Sequence, residues 1–332
     1  MSDQKTVLVT GGAGYVGSHT CKILKNNGFS PVAYDNLSEG YEWAVKWGPL
    51  IKGDLHDAPL LVKTIKQHKP CAILHFGAHA YVGESVENPL KYYRNNVGGT
   101  LSLLAAMEET GLDKLVFSST CAIYGVPEGD LLTENSAKNP INPYGQTKYV
   151  VEQILADLAK HKKLNYVALR YFNAAGADPE GEIGEAHEPE THLVPLAIMA
   201  ALGQGAGLKI FGSDFPTPDG TPVRDYIHVN DLAMAHVAAL KHLLVGKGSD
   251  FFNLGTGHGH SVLNVIDGLR DLGLKVPAEK TGRRAGDPPR LVADASKANK
   301  ILGWHAEMSD LATILSTALA WHRKNNHARK AG

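Results

Sequence analysis

A tyrosine and a lysine four residues apart are the side chains with the clearest chemical use in this sequence. Tyr144 and Lys148 follow Asn142-Pro143, a typical helix start with Asn as the cap and Pro at the first position. In a helix, both side chains then share one face. A phenol titrates at about 10, so ionising it at neutral pH costs on the order of 4 kcal/mol, part of which a neighbouring ammonium can supply. The pair predicts acid/base chemistry, with a snorkelling lysine as the alternative.

A hydroxyl group elsewhere in the chain can work beside this pair. Thr120 lies in Phe117-Ser-Ser-Thr-Cys-Ala-Ile-Tyr-Gly125, and we expect it just beyond the carboxyl end of the fourth strand. Ligands of open α/β sheets bind at that edge. The hydroxyl could bridge a substrate oxygen and the phenol of Tyr144, although an ordinary loop threonine is the alternative.

A glycine-rich segment near the start predicts a dinucleotide site. Gly11-Gly-Ala-Gly-Tyr-Val-Gly17 follows the first predicted strand and opens the first helix. Glycines at this spacing let the backbone approach a pyrophosphate, whose charge then lies at a helix N-terminus. Asp35 ends the second strand, where a carboxylate accepts from the ribose hydroxyls of NAD and repels the extra phosphate of NADP. Asp54 is suited either to the adenine amino group or to the entry of the next helix. The cofactor is predicted to be NAD.

Short apolar runs alternate with helical patterns over the first 170 residues. The predicted strands span 5–10, 31–35, 72–76, 114–118 and 166–170, and the predicted helices span 15–27, 57–68, 88–110 and 143–161. Strands that are apolar throughout are typical of a parallel sheet covered on both faces. The alternation therefore predicts the α/β class, with a doubly wound parallel sheet of the Rossmann type.

The pattern changes after about residue 172, where glycine, proline and acidic residues dominate 174–192 and 212–222. The earlier pattern resumes with a strand at 226–229, a helix at 231–245 and a strand at 251–254, and a last helix is predicted after Ser309. We therefore expect two units. Residues 1–172 and 226–255 would form the NAD-binding domain, and residues 173–225 and 256–332 a smaller mixed α/β lobe that binds substrate.

Composition excludes several classes of function. The 332 residues are 43% hydrophobic and 20% charged, which excludes disorder as the main state. The net charge of −1 argues against nucleic-acid binding. Cys21, Cys71 and Cys121 form no C-x-x-C pair and predict reduced thiols. No signal peptide and no run of about 18 apolar residues is visible, so we expect a cytoplasmic protein with no membrane partner.

The motifs, taken in order, resemble those of the extended short-chain dehydrogenase/reductases, and among them the UDP-glucose 4-epimerases. The matching segments run almost from end to end, and include Thr10-Gly-Gly-Ala-Gly-Tyr-Val-Gly-Ser18, Arg170-Tyr-Phe-Asn173, Val223-Arg-Asp-Tyr-Ile-His-Val229 and Arg283-Arg-Ala-Gly-Asp287. The resemblance implies reversible C4 epimerisation of UDP-glucose and UDP-galactose through a 4-keto sugar, with tightly bound NAD. It also implies a homodimer formed through helices 88–110 and 143–161.

The resemblance assigns a role to each matching residue. Tyr144 would be the acid/base at the sugar 4-hydroxyl, Lys148 its pKa partner and ribose ligand, and Thr120 its hydrogen-bonding companion. The other residues that it assigns to NAD are Gly11, Gly14, Tyr15, Val16, Gly17, Asp35, Asn36, Asp54, Leu55, Phe76, Asn95 and Tyr171. The residues that it assigns to the UDP-hexose are Thr120, Tyr144, Asn173, His192, Leu193, Phe211, Arg224, Arg284 and Asp287.

Departures from the family pattern keep related functions open. Ala80 stands where bacterial members carry Lys, and His192 where they often carry Asn, which keeps a UDP-uronate or UDP-pentose 4-epimerase as an alternative. Leu291 stands at the position whose side-chain size is linked, in the family, to the acceptance of N-acetylated sugars. A leucine is neither the large nor the small residue at this position, so their acceptance stays open. A 4,6-dehydratase would have an Asp-Glu pair at Cys121 and Ala122. A non-catalytic NAD-binding scaffold would be expected to lack the tyrosine or the lysine.

Two further features have alternatives of their own. His258-Gly-His260 lacks a matching carboxylate, and the acidic loop 178–190 is expected to be a solvated surface, so no metal is predicted.

Gly98-Gly99 inside a helix costs about 1 kcal/mol per glycine relative to Ala. Close approach to the cofactor side or to another helix would explain these glycines.

Overall fold

A seven-stranded parallel sheet forms the centre of the computed structural model, which describes residues 5–127, 129–204, 207–284 and 287–330. Its strand order is β11-β6-β5-β4-β1-β2-β3. The strands are β1 (Thr6–Thr10), β2 (Ser30–Asp35), β3 (Leu50–Lys52), β4 (Ala72–His75), β5 (Lys114–Thr120), β6 (Asn165–Tyr171) and β11 (Asp250–Leu254). The predicted doubly wound sheet is confirmed. Its order reverses between β1 and β4, where such sheets bind nucleotides.

Helices cover both faces of this sheet. They are α1 (Tyr15–Asn26), α2 (Ala58–His68), α3 (Val82–Glu87), α4 (Pro89–Tyr92), α5 (Gly99–Thr110), α6 (Pro143–His161), α8 (Val229–Leu244) and α10 (Ser296–Leu302). Apolar side chains of α1 and α8 pack on one face, and those of α2, α5 and α6 pack on the other. The caps predicted for two of these helices are present, since the Asn88 side chain accepts from the Lys91 amide and that of Asn142 from the Gly145 amide.

The remaining elements form a separate apolar core. The helices are α7 (Leu193–Ala201), α9 (Val262–Asp271) and α11 (Leu311–Lys330); the strands are β7 (Asn173–Ala175), β8 (Leu208–Phe211), β9 (Val223–Arg224), β10 (Tyr226–His228), β12 (His260–Ser261), β13 (Ala278–Thr281) and β14 (Arg290–Leu291). Side chains from α7, α9 and α11 form most of this core. The chain returns to the large sheet between them, because α8 packs on α1 and β11 pairs with β6. This arrangement agrees with an interrupted first domain; the exact boundaries stay a prediction.

The structure corrects three details of the sequence prediction. Strand β5 continues through Thr120, so this residue ends the strand and does not follow it. The three-residue strand β3 was missed because its segment is too short to show a period. The predicted helix 88–110 consists of α4, a π-helical turn over Tyr93–Gly98, and α5.

The glycine pair at the end of that π-helical turn makes room for a loop, not for another helix. A Cβ atom on Gly99 would lie 2.9 Å from the Cβ of Leu55, and one on Gly98 would lie 3.3 Å from a ring nitrogen of His56. Leu55 and His56 follow Asp54, one of the predicted cofactor residues, and approach to the cofactor side stays a prediction. None of the described helices is long and apolar enough to cross a membrane.

Three histidines are fully buried around the large sheet and remain neutral. Burial lowers the pKa of His19 to about 4, of His75 to about 3 and of His236 to about 4. In the unfolded chain these groups titrate at about 6.5. As the pH falls below that value the unfolded chain takes up protons that the folded chain does not, so the free energy of unfolding decreases.

We predict that His236→Leu makes this pH dependence shallower. The ring packs 4.5 Å from Phe76, its Nε2 has no hydrogen-bond partner, and its Nδ1 lies 2.8 Å from the Leu232 carbonyl one turn earlier in α8, so a leucine removes the titration and one side-chain hydrogen bond within the helix. Each such group contributes up to about 1.4 kcal/mol per pH unit. Urea unfolding at about pH 7 and about pH 5 measures the slope. The exposed His305→Gln serves as control, and equal slopes for the two variants would contradict the prediction.

Candidate nucleotide and catalytic site

The glycine-rich turn after β1 has the close backbone packing that a dinucleotide site requires. Gly11 has a φ of +72°, and a Cβ there would lie 2.6 Å from the amide nitrogen of Gly77. A Cβ on Gly17 would lie 2.1 Å from the carbonyl oxygen of Gly11. Gly14 precedes the first residue of α1. Amide groups at the start of α1 are therefore accessible to an anion, which fits the pyrophosphate of NAD.

Asp35 ends β2 beside this turn and is already anchored by the chain. Its Oδ2 accepts from the Ala13 amide at 2.9 Å and its Oδ1 from the Leu37 amide at 2.8 Å. The carboxylate is buried, and this burial raises its pKa above the usual value. Each oxygen keeps a second lone pair with which to accept from a ribose hydroxyl.

Three other predicted cofactor residues line one cavity of about 390 Å³. They are Asn36, Asp54 and Asn95. The Asn36 amide donates to Asp54 Oδ2 at 2.8 Å, while Oδ1 of Asp54 accepts from the backbone amide of His56. Asp57, not Asp54, caps helix α2, so the structure does not support the helix-entry role for Asp54. The cavity is large enough to hold part of a nucleotide.

The side chains of the other predicted cofactor residues face different surroundings. Leu55 is buried beneath Gly99, and Val16 packs against the apolar core beside α1. Phe76 follows β4 and stacks on His236. The phenol of Tyr15 donates to the carbonyl of Gly176 at 2.7 Å, so this side chain is directed to the acidic loop and only its backbone remains for a cofactor.

The predicted catalytic residues meet at the carboxyl ends of β5 and β6. Lys148 is 3% exposed and donates to the Ser118 carbonyl at 2.8 Å. The Ser118 hydroxyl lies 2.6 Å from the phenol oxygen of Tyr171. The side chain of Thr120 is close enough to Tyr144 to lower the pKa of its phenol, and its hydroxyl accepts from the Ala122 amide at 3.2 Å. The structure thus brings Tyr144, Lys148, Thr120 and Tyr171 to one place, and their roles stay a prediction.

Burial dominates the ionisation of this group. The pKa of Tyr144 is raised well above its usual value by burial and by Tyr171, against which the Thr120 hydrogen bond acts. Burial also lowers the pKa of Lys148 to about 7, while Glu152 raises it. The sequence predicts that Lys148 lowers the pKa of Tyr144. The side chains of the site alone do not lower it. The site favours the neutral form of the Tyr144 phenol until a ligand brings positive charge, whereas Lys148, with a pKa of about 7, is charged in part of the molecules at neutral pH.

The predicted substrate residues occupy the adjoining lobe. Arg224 forms an ion pair with Asp287, and the Arg284 guanidinium lies 3.8 Å from the ring centre of Phe211. The Asn173 side chain donates to the Asp225 carbonyl at 3.2 Å. The charge of Arg224 acts on Cys121, which follows Thr120, and this places the arginine near the catalytic group.

His192 and Leu193 lie at the start of α7, apart from these arginines. The Nδ1 atom of His192 lies 2.9 Å from Glu185 and 3.0 Å from Glu190. Both glutamate side chains are buried, with 5% of the Glu185 side chain and 6% of the Glu190 side chain exposed. The expectation of a solvated acidic surface over 178–190 is wrong at this end of the loop, although Glu180 is 71% exposed.

Several positioning residues were missed by sequence reasoning. Asn96 is buried, and its side chain connects the backbone of His79 to the Thr147 hydroxyl on α6. Asp225 accepts from the amides of Thr256, Gly257 and Ala293, and so holds the strand that carries Arg224. Neither residue belongs to a periodic pattern; the placement of Asp225 beside Arg224 in a matching motif was the only available signal.

The fold and the site define a class: a doubly wound nucleotide-binding protein with a half-buried tyrosine and a buried lysine at the carboxyl edge of its sheet. The sequence model of the "NAD dependent epimerase/dehydratase family" matches residues 7–255. The chain belongs to this family, so the resemblance seen in the sequence is confirmed.

Characterised relatives match over nearly the whole chain. A UDP-glucose 4-epimerase of Rhizobium leguminosarum bv. trifolii is 53% identical over 97% of this chain and 98% of the relative. The crystal structure of the Brucella ovis UDP-glucose 4-epimerase in complex with NAD is 54% identical, with a TM-score of 0.94 over 95% of this chain and 98% of that one. A Stenotrophomonas maltophila UDP-glucose-4-epimerase with bound NAD and formylated UDP-arabinopyranose is 40% identical, with a TM-score of 0.95 over 98% and 100%.

We predict that Gly17→Ala lowers the amount of NAD that copurifies with the protein. The new methyl group would meet the backbone of Gly11, so the turn must move away from the position that receives a pyrophosphate. NAD released by acid and quantified by chromatography measures the effect. Gly83→Ala is the matched control, because its methyl group has no atom within 4 Å. Full NAD content in a folded Gly17→Ala protein would contradict the prediction.

Proposed function

We propose that this protein interconverts UDP-glucose and UDP-galactose by epimerisation at C4 of the sugar, with bound NAD as catalyst. The single observation that carries the proposal is the group formed by Tyr144, Lys148 and Thr120 at the carboxyl edge of the sheet, beside a glycine turn that fits a dinucleotide. Relatives that are UDP-glucose 4-epimerases, at 53% and 47% identity, support the same reaction.

Each residue of the group has a separate task in this proposal. Tyr144 takes the proton from the 4-hydroxyl as the sugar is oxidised to the 4-keto form, and returns it when the ketone is reduced from the opposite face. Thr120, which lies beside the phenol and lowers its pKa, orients it through a hydrogen bond when substrate is bound. Lys148, held by the Ser118 carbonyl, brings a positive charge to the same face of α6. Bound NAD supplies the redox chemistry at C4.

The arginines of the second lobe give the substrate a fixed anchor. A diphosphate requires cations with defined geometry, and guanidinium groups provide it. Arg224 is held by Asp287 and Arg284 by the face of Phe211, so both cations are positioned before a substrate binds. Asn173 and the start of α7, with His192 and Leu193, complete the proposed sugar-nucleotide pocket. Such an anchor retains the diphosphate while the 4-keto sugar rotates.

Related substrates remain secondary candidates. Leu291 pairs with Arg224 across β14 and β9, so its side chain borders the proposed pocket and bears on N-acetylated sugars. Ala80 and His192 bear on uronates and pentoses in the same way. A dehydratase is disfavoured because Cys121, whose pKa burial raises to about 12, and Ala122 supply neither acid nor base after Thr120.

We predict that Tyr144→Phe lowers the turnover of UDP-galactose to UDP-glucose by about 10²–10⁴-fold, the usual contribution of a positioned acid/base. The substitution removes only the hydroxyl, so the melting temperature and the NAD content should stay unchanged. Conversion is measured by chromatography of the two UDP-sugars without added NAD. Undiminished conversion by the variant would overturn the assignment of Tyr144.

We further propose that the protein is a homodimer formed through the helical segments 88–110 and 143–161. Apolar residues follow the outer face of the first segment at helical spacing, and include Leu90 (57% exposed), Tyr93 (38%) and Leu101 (48%). This segment packs against α6, so the exposed faces of both helices are adjacent. A continuous apolar face of this kind is typical of a protein interface.

We predict that Leu101→Glu converts the dimer to a monomer, because it places a charge in the middle of the apolar face. Light scattering at micromolar concentration should give twice the chain mass for the unmodified protein and the chain mass for the variant. Val245→Glu is the control, since Val245 is 70% exposed on a different surface. A monomeric unmodified protein would overturn the proposal of a dimer.

A further inference from the structure

Four metal-ligating side chains converge beside the proposed sugar pocket. Glu185, His187, Glu190 and His192 come from the loop before α7, and their ligand atoms all lie within 4.8 Å of one another. His187 Nδ1 lies 3.3 Å from a Glu185 oxygen and 3.6 Å from a Glu190 oxygen. His192 Nδ1 lies 2.9 and 3.0 Å from oxygens of the same two residues.

These four nitrogen–oxygen separations are close to those between neighbouring ligands of a tetrahedral zinc ion, although the two imidazoles face different oxygens of Glu190. Zinc binds imidazole nitrogen and carboxylate oxygen at about 2.0–2.2 Å, so neighbouring ligand atoms in a tetrahedral site lie about 3.3–3.5 Å apart. The observed range of 2.9–3.6 Å brackets this value. Two nitrogen and two oxygen donors suit zinc, whereas calcium and magnesium prefer oxygen alone.

A second observation concerns the histidine that is deeper in the cluster. His187 Nδ1 is inaccessible to solvent and makes no hydrogen bond, although two carboxylate oxygens lie within 4 Å of it. A buried nitrogen without a partner is costly. A metal ion bound between the imidazoles and the carboxylates would satisfy this atom.

We propose that Glu185, His187, Glu190 and His192 form a structural zinc site. The two carboxylates balance the charge of Zn²⁺, so the buried site is neutral. All four positions are filled by protein, which is typical of structural and not of catalytic zinc. Binding through Nδ1 leaves Nε2 of His192 for a substrate. The proposal does not depend on the identity of the substrate.

The site would fix the loop next to the cofactor turn. The His187 ring packs edge-on against the rings of Tyr15 and Tyr81. Tyr15 lies two residues after Ala13, which belongs to the cofactor turn. The Glu185 carbonyl accepts from the Trp321 indole at 3.0 Å, which connects the loop to α11. Zinc would therefore join the acidic loop, the start of α7 and the first helix of the NAD-binding domain.

The other acidic cluster in the described residues already holds a cationic side chain. Asp178, Glu180 and Glu182 surround the Lys22 ammonium at 2.8, 2.5 and 2.7 Å. The lysine occupies the centre that a cation would need. The alternative for the first cluster is a pair of imidazolium–carboxylate ion pairs with no metal.

The test uses the full-length protein, stripped with a chelator and then supplied with Zn²⁺ or Co²⁺. We expect one zinc per chain by mass spectrometry after gel filtration, and an intense tetrahedral cobalt absorption band for the Co²⁺ form. The melting temperature should rise with zinc. His187→Ala and Glu190→Gln should each lose the metal and this rise, while the exposed His258→Ala should keep both.

Two results would overturn the proposal. One is less than a tenth of an equivalent of zinc in the loaded unmodified protein, which would support the ion-pair alternative. The other is equal zinc content in His187→Ala and the unmodified protein, which would place the metal elsewhere. His187→Cys distinguishes ligation from ion pairing when His187→Ala folds poorly, because a thiolate can bind zinc but cannot act as a cation. Loss of epimerase activity alone shows neither whether zinc binds nor where it binds.

Discussion

The site depends on one buried ion pair beneath it. Arg170 on β6 donates to Glu152 on α6 from both Nε and a terminal nitrogen, at distances of 2.9 and 2.5 Å to the two carboxylate oxygens. Ser119 on β5 donates to the same carboxylate at 2.5 Å. Removing one member of such a pair leaves a buried charge and costs about 3–5 kcal/mol. Because Glu152 is one turn beyond Lys148, this pair fixes the rotation of α6 and therefore the face on which Tyr144 and Lys148 lie.

Close backbone packing acts as the second constraint on the same sheet edge. The turn between β1 and α1 contacts the segment after β4 at Gly77, and the loop after β3 contacts α5 at Gly99. These contacts hold the segments after β1, β3 and β4 close together at the carboxyl edge of the sheet, at which Asp35 and the start of α1 also lie. The glycines are required because the backbones touch, and their conformational freedom matters mainly at Gly11.

The sequence allowed most of the sheet to be predicted, because each long strand is apolar throughout and each helix has a periodic face or a recognisable cap. It also allowed Tyr144 and Lys148 to be placed on one face of one helix, since they are four residues apart, while their catalytic role stays a prediction. It did not reveal β3, the π-helical turn or the network around Asn96, which depend on contacts between distant segments. The histidine and glutamate cluster was missed for the same reason: an acidic loop has no period, and only folding decides that Glu185 and Glu190 are buried.

The electrostatics of the site explain how a nearly neutral protein can bind an anionic ligand and still favour proton transfer. The arginines that are proposed to meet the diphosphate are compensated individually, one by Asp287 and one by the ring of Phe211, so no excess of positive charge is needed. Around Tyr144 the chain supplies little charge, and burial lowers the pKa of Lys148 to about 7. In so poorly solvated a place a single positive charge acts strongly, because water cannot screen it. A positive charge on a bound cofactor would therefore favour the ionised phenol, which would couple the proposed acid/base role of Tyr144 to occupancy of the nucleotide site.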